Sequence, residues 1–320
     1  MQTLPENTQM KNEFSPESSE PTYLEEPELA PDDAKFTDET PPSNSPVQQA
    51  APSDADLDEV GEDRLTDGRN LVTKVLLDID AGSANKFSVK AADADIDIQV
   101  HSSNRLLVTA TTLQGVDLTS FDVAMRRQSL NLSFLPEKRR LRKVLRGNTD
   151  KVRLTVHLPA RFGVAASSTT GAITAGGFKG TTTVSSISGC VTLNDLAGPV
   201  RVETKSGNIS GCCGSSSVYL ATKSGNIAFD GLTGGAVCHT KTGEAHLTWS
   251  DVPDDSKVVI HSGTGPTSLY FPPAAKLNYR FITGANAIMN EFEQCDTSNF
   301  RVRMVSRRGN LFLKKITSAS

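Results

Sequence analysis

Three lysines recur at one spacing. Lys205, Lys223 and Lys241 are 18 residues apart, and each stands two residues before a glycine. Arg201 lies four residues before the first of them. A second cationic group is the stretch 137–147, where Arg139, Arg140, Arg142 and Lys143 belong to six basic residues among eleven. Protonated ammonium and guanidinium groups are hydrogen-bond donors that hold phosphate, sulfate or carboxylate. The chemistry on offer is therefore anion binding, with an anionic glycan, a lipid headgroup or a protein as partner. Each group also has a plainer reading. Lysines in register keep a β-rich surface from aggregating, and a basic stretch without interleaved aromatics is a solvated loop.

Other chemistry is sparse. The five histidines (101, 157, 239, 246 and 261) show no ligand spacing and read as falling in different columns of the repeat, with His239 and His246 outward on one unit. Asp95 and Asp97 alternate with Ile96, Ile98 and Val100, which makes them the wet face of a strand. Glu203 and Glu244 stand alone in their columns, whereas glycan cleavage needs paired carboxylates. Five cysteines (190, 212, 213, 238 and 295) lack metal or redox spacing and read as small thiols in a reducing compartment, with Cys238 facing inward. Neither G-x-S-x-G, P-loop, H-E-x-x-H and EF-hand patterns nor a calcium-binding nonapeptide occurs. No catalytic, cofactor or metal-ligating residue is assigned, and no cofactor is expected.

The elements that must position the lysines are set by a repeat. Thr170-Gly171, Ser188-Gly189, Ser206-Gly207, Ser224-Gly225 and Thr242-Gly243 follow one another at a period of 18. A period near 20 means that each unit is one coil of a solenoid, unable to bury its apolar face until a neighbour stacks on it. Seven and five residues before each glycine stand pairs such as Val200/Val202 and Val218/Leu220, and Ser168, Ser186, Thr204, Thr222 and Thr240 continue the alternation. Two and four residues after it come Ile173/Ala175, Val191/Leu193 and Ile227/Phe229. Period two means strand, so each coil holds two strands with Val, Ile and Leu inward and internal Ser/Thr ladders. The chain must turn at the Ser/Thr-Gly pair, where a positive φ is expected of the glycine, and again at the Gly-rich stretches 176–180, 194–199 and 230–235. Ser262-Gly263 and Thr283-Gly284 read as stretched continuations, and Arg308-Gly309 reads as a terminal coil in the same register.

Composition divides the rest. Residues 1–68 hold 18 Asp+Glu against 3 Lys+Arg, and nine prolines fall before residue 67. Such a stretch cannot bury enough surface to offset its backbone entropy and is expected to be a disordered acidic tail. Residues 69–163 read as a strand-rich lead-in with runs at 71–79, 86–89, 94–100, 106–112, 121–125, 130–135 and 152–158. The solenoid proper occupies 164–315. The first 30 residues show no signal peptide and no apolar run approaches 18 residues, so no transmembrane segment is expected and a cytoplasmic location is the default, with the cell surface as alternative.

The lead-in closing in Val152-Arg153-Leu154-Thr155-Val156-His157-Leu158-Pro159, followed by iterated Ser-Gly-Asn-Ile and Thr-Gly-Ala-Ile units, resembles the family known as the putative adhesin domain. The resemblance covers about residues 70–315. It implies an all-β, β-helix-like fold, an adhesin-type role and no catalytic residue. The expectation from residues and resemblance together is an all-β protein with a right-handed-type β-solenoid, acting as a non-catalytic binding or scaffold module able to self-associate through its end coils. The alternatives are a cytoplasmic polymer-forming scaffold akin to bactofilins and a glycan-active enzyme on a β-helix.

Overall fold

The computed structural model describes residues 71–113, 121–126, 129–134, 152–212, 214, 217–284 and 287–317. The lead-in carries β1 (Leu71–Asp80), β2 (Lys86–Ala91), β3 (Asp95–Val100), β4 (Arg105–Leu113), β5 (Phe121–Arg126), β6 (Ser129–Phe134) and β7 (Arg153–Leu158). Five regular coils follow as strand pairs: β8 (Gly163–Ser168) and β9 (Ile173–Gly176), β10 (Thr182–Ser186) and β11 (Val191–Asn194), then β12 (Val200–Thr204) and β13 (Ile209–Cys212). The last two of the five are β14 (Ser217–Thr222) with β15 (Ile227–Leu232), and β16 (Gly235–Thr240) with β17 (Ala245–Trp249). Three longer coils finish the chain: β18 (Lys257–Ser262) and β19 (Thr267–Phe271), β20 (Asn278–Thr283) and β21 (Ile288–Asn290), β22 (Arg301–Ser306) and β23 (Leu311–Lys315).

Each coil gives one strand to each of two sheets. One sheet runs β1-β4-β7-β3-β9-β11-β13-β15-β17-β19-β23-β21, the other β20-β22-β18-β16-β14-β12-β10-β8-β2-β6-β5. In the regular coils the pairing is parallel and in register, as in Val200↔Val218, Val202↔Leu220 and Thr204↔Thr222, with one shift between Phe229 and Leu232 where β15 meets β17. Alternation then buries the expected columns: Val184, Val202, Leu220 and Cys238 inside one sheet, Ile173, Val191, Ile209 and Ile227 inside the other, each no more than 1 % exposed. The lead-in strands join the same two sheets. Gly211 interrupts its inward column, where a Cβ would overlap both the Leu193 carbonyl oxygen of the preceding coil and the Phe229 ring of the next.

The ends depart from sequence order. β2 and β3 lie between β8/β9 and β6/β7, so the first coil is covered from outside by strands that come later in the chain. At the other end β22 and β23 lie between β18/β19 and β20/β21. The coil around Arg308-Gly309 keeps the expected register, with Val302, Met304, Leu311 and Leu313 at most 2 % exposed, yet it is not the last coil in space. Its strands alternate cleanly and can be covered on both sides, whereas the burial of β20 and β21 is irregular. The irregular pair therefore meets water. Next to it, Trp249 stacks on Phe271 at 4.4 Å between ring centroids, and Phe300 and Phe292 meet Phe271 edge-on at 5.7 and 6.3 Å.

The Ser/Thr-Gly corner works differently from the expectation of a positive φ. Positive φ falls at the second corner instead, on Gly177 (82°), Asp195 (52°) and Gly231 (75°), which are spaced by multiples of 18. At the first corner glycine is needed for closeness. A Cβ on Gly189, Gly207, Gly225 or Gly243 would overlap the carbonyl oxygen of the equivalent glycine one coil below. The same test places Gly265 over Gly243 and Gly309 over Gly265, so Thr264-Gly265, and not Ser262-Gly263, continues the column. Four residues inserted around Val252-Pro253-Asp254-Asp255 displace the frame, which is why spacing alone selects the wrong pair.

Candidate functional site

The first corner has a job for nearly every residue in it. The inward hydroxyl three residues before the glycine closes the turn: the Thr240 Oγ1 accepts from the Gly243 amide at 3.0 Å and donates to its carbonyl at 3.2 Å. Thr222, Ser262 and Ser306 make bonds of the same kind at 2.8–2.9 Å. The outward hydroxyl just before the glycine ties the coil to the one below, with Ser206 donating to the Ile187 carbonyl, Ser224 to Lys205 and Thr242 to Lys223, at 3.2, 3.4 and 3.2 Å. After the glycine an asparagine ladder continues the stitching. The Asn208 Oδ1 accepts from the Asn226 amide at 2.9 Å, and the Asn226 Oδ1 from the Glu244 amide at 3.0 Å.

The lysine side chains stand outside this bonding. Lys205, Lys223 and Lys241 are exposed, and no ion pair joins any of them among the described residues. Their backbones fall in one column: the Ser224 amide bonds the Lys205 carbonyl, the Thr242 amide that of Lys223, and the Thr264 amide that of Lys241. Successive members are one coil apart, about 4.8 Å. Before Lys205 the column holds Thr169 and the exposed Ile187; after Lys241 it is interrupted by Gly263 and resumes with the exposed Arg307, whose amide bonds the Ser262 carbonyl as the Lys205 amide bonds that of Ser186. Arg307 was not legible as a member of this row. The out-of-order seating of β22 puts it beside β18, 44 positions from Gly263 in the chain but next to it in the stack.

Arg201, expected on the same face, is there but engaged. Its guanidinium lies 4.1 Å from the Tyr219 ring centroid and pairs with Glu203. Beyond Tyr219 an aromatic row continues, His239 at 5.8 Å and His261 a further 5.0 Å on, the two imidazoles stacked at an interplanar angle of 23°. The histidines therefore do not all occupy different columns, since His239 and His261 pair directly across β16 and β18. The same four-residue insertion hid this. Partial burial holds the His239 pKa below its ordinary 6.5, and complete burial pushes the Cys238 thiol up to about 12. Arg139, Arg140, Arg142 and Lys143 lie outside the described residues.

A cleft of about 670 Å³ lies elsewhere, among the second-corner loops of the late coils, with Asp251, Asp254, Lys276, Cys295, Ser298 and Phe300 on its walls. The buried hydroxyls without a partner, such as Thr182, Ser186 and Thr267, do not line it. Among the described residues no group of three or more His, Cys, Asp or Glu side chains could hold a metal ion, and no helix is long and apolar enough to cross a membrane, which says nothing of a β-barrel.

No family model and no curated protein matches the chain. Solved structures do resemble it at low identity. A putative adhesin from Bacteroides fragilis is 16 % identical over 77 % of this chain and 97 % of its own, with a TM-score of 0.44. A putative adhesin from Parabacteroides distasonis is 11 % identical over the same shares, with a TM-score of 0.41. A putative cell adhesion protein from Clostridium sporogenes is 10 % identical over 78 % of this chain and 100 % of its own, with a TM-score of 0.26. Likeness at these scores carries no conclusion about what this chain binds.

Proposed function

We propose that this chain is a non-catalytic binding module of the adhesin-like β-solenoid type, wound right-handed, whose first corner holds a linear polyanion such as a sulfated or uronic glycan. One observation carries the reading: in a corner where hydroxyls, glycines and asparagines bond the fold together, the three lysine side chains are exposed, aligned and joined by no ion pair among the described residues. Like charges at one coil's rise cost some tenths of a kcal/mol per pair, which long stems relieve in part. A row one residue wide along the solenoid axis suits an extended chain better than a flat membrane. Binding of heparin to the full chain, set against Lys205→Glu/Lys223→Glu/Lys241→Glu, tests this. Affinity should fall at least tenfold and lose most of its salt dependence, with the β-sheet circular dichroism unchanged. Equal binding by the triple variant removes the proposal, and equal capture by anionic vesicles would move it to lipid headgroups.

A second reading, self-association through an end coil, draws on Ile282, Ile288 and Met289, which are 37, 44 and 50 % exposed on the outermost strands β20 and β21. Sedimentation of the full chain at rising concentration decides it. A monomer throughout excludes it and with it a bactofilin-like polymer.

A further inference from the structure

The lysine row is one column of a wider strip. Around the first corner three successive coils read Lys205-Ser206-Gly207-Asn208, Lys223-Ser224-Gly225-Asn226 and Lys241-Thr242-Gly243-Glu244, and in each the side chains flanking the buried glycine are exposed. The hydroxyls of Ser206, Ser224 and Thr242 commit their hydrogens to carbonyls of the coil below, which leaves their oxygens as acceptors. The Asn208 and Asn226 side chains commit their oxygens to backbone amides of the coil above, which leaves their NH2 groups as donors. Two coils in succession therefore present an ammonium, a hydroxyl oxygen and an amide NH2, repeated at about 4.8 Å. The third keeps the first two groups and puts Glu244 in place of the amide.

Resting on the reading of this corner as a polyanion site, we propose that its ligand is a uronan: a linear polysaccharide with one carboxylate on every sugar, laid one sugar to a coil. The lysine of each coil takes the carboxylate, and Asn208 and Asn226 donate to oxygens of the same sugars. A linked pyranose advances its chain by about the rise of one coil, so sugar and coil stay in step across the three lysines. The four-carbon lysine stems are flexible enough to follow a carboxylate that leans to either side of the chain. Past Lys241 the strip lapses, because Gly263 stands in the cation column and Pro266 in the column of Glu244. The footprint is therefore the three coils.

Other polyanions fit the strip less well. A polyphosphate has charge but no hydroxyl to donate to the oxygens of Ser206, Ser224 and Thr242. A duplex nucleic acid carries a charge for about every 1.7 Å of its axis, far denser than one cation to a coil. A heavily sulfated glycan brings several anions on each sugar, and beside Lys241 it meets the Glu244 carboxylate. That carboxylate accepts from a sugar hydroxyl but repels a second anion. Cation count and hydrogen-bonding groups both point to one anion and several hydroxyls in each repeat.

The test compares an oligogalacturonate long enough to cover the three coils with a linear polyphosphate of equal charge and with dextran sulfate, on the full chain at rising salt. Contacts between charges fade as salt rises, whereas hydrogen bonds to sugar oxygens persist. At about 0.2 M salt the oligogalacturonate should bind roughly tenfold more tightly than either of the others, the scale of its extra hydrogen bonds. Asn208→Asp/Asn226→Asp keeps an oxygen for the Asn226 and Glu244 amides and so keeps the stitching, but removes the outward donors. Its added charge weakens every polyanion, so the readout is the ratio between ligands, and the preference for the uronan should disappear. A preference that survives in this variant, or its absence from the wild type, overturns the proposal and leaves the lysine row as a general polyanion site. Failure of all three ligands to bind removes the reading on which the proposal rests. The wild type alone gives a further check. Side-chain NH2 proton resonances of Asn208 and Asn226 should move with oligogalacturonate and stay in place with polyphosphate, and resonances unmoved by the uronan would refute the assignment.

Discussion

The five regular coils and the two ends of the stack use the same two strands per coil, but they are specified by different means. In the coils from β8 to β17 successive coils in the chain are also neighbours in space, and the corners from Ser206-Gly207 to Thr242-Gly243 close on bonds to the coil one period before. At the ends a coil is covered by strands from a different part of the chain, β2/β3 by β6/β7 and β22/β23 by β20/β21. Local periodicity builds the middle. Packing choice builds the ends, and at the β20–β23 end the strand pair with the cleaner inward face takes the inner seat while the irregular one lies outermost.

The largest effect should come from the junction of the two regimes. Trp249 closes the last regular coil, buried under Phe271 with its indole N–H donating to the Gly234 carbonyl at 2.8 Å. Trp249→Ala should cost about 4 kcal/mol in urea unfolding. A loss under ~1 kcal/mol would mean that the late coils are not cooperative with the middle.

Inside the middle, glycine is the next most sensitive position. Gly225→Ala puts a methyl group into the Gly207 carbonyl, and relief requires two coils to separate. We expect about 3 kcal/mol of destabilisation, the upper range for overpacking. Gly214→Ala meets nothing within 4 Å and should be near neutral. Similar costs at both sites would contradict the close-approach account of the repeat. Thr222→Val ranks just below: it keeps the shape but leaves the Gly225 amide without its acceptor at 2.9 Å, a loss of about 1–3 kcal/mol.

These positions show what could be read from the residues. The strand columns and the inward Ser/Thr ladder were legible because each side chain repeats at its own spacing, and the lysine column followed from them. The reason for the glycine was not, since spacing shows that glycine is required without distinguishing a positive φ from a close approach. Gly265, Arg307 and the His239–His261 pairing were hidden behind one cause: a four-residue insertion and an out-of-order coil break the link between sequence distance and stack position. Asp195 at φ 52° was also invisible, although its place one period after Gly177 and two before Gly231 is a usable signal.

Thiol chemistry separates the inner columns from the outer surface without any substitution. Cys190 and Cys212 are exposed, and Cys238 is fully buried with its thiol pKa pushed up to about 12. The thiolate is the reactive form, so Cys238 should resist a thiol reagent until the protein unfolds, while Cys190 and Cys212 react at once. Mass mapping of the labelled sites reads this directly, and early modification of Cys238 would mean that the middle coils open locally.

The smallest expected effect is the pH dependence of stability contributed by His239. Burial lowers its pKa in the folded chain below the ordinary 6.5, so over the interval between the two values the unfolded chain binds more protons than the folded one. Stability then rises with pH through that interval and is unaffected by this group above it. On acidification the loss starts as pH falls past about 6.5 and levels off once the folded form is protonated as well. His239→Gln should remove that part of the acid slope, so the urea midpoints of variant and wild type should run parallel above neutrality and diverge below it. Heparin should shrink the divergence, because a polyanion on the lysine row stabilises the protonated folded form. Midpoints that stay parallel down to about pH 5 would place His239 on the same footing as an exposed histidine.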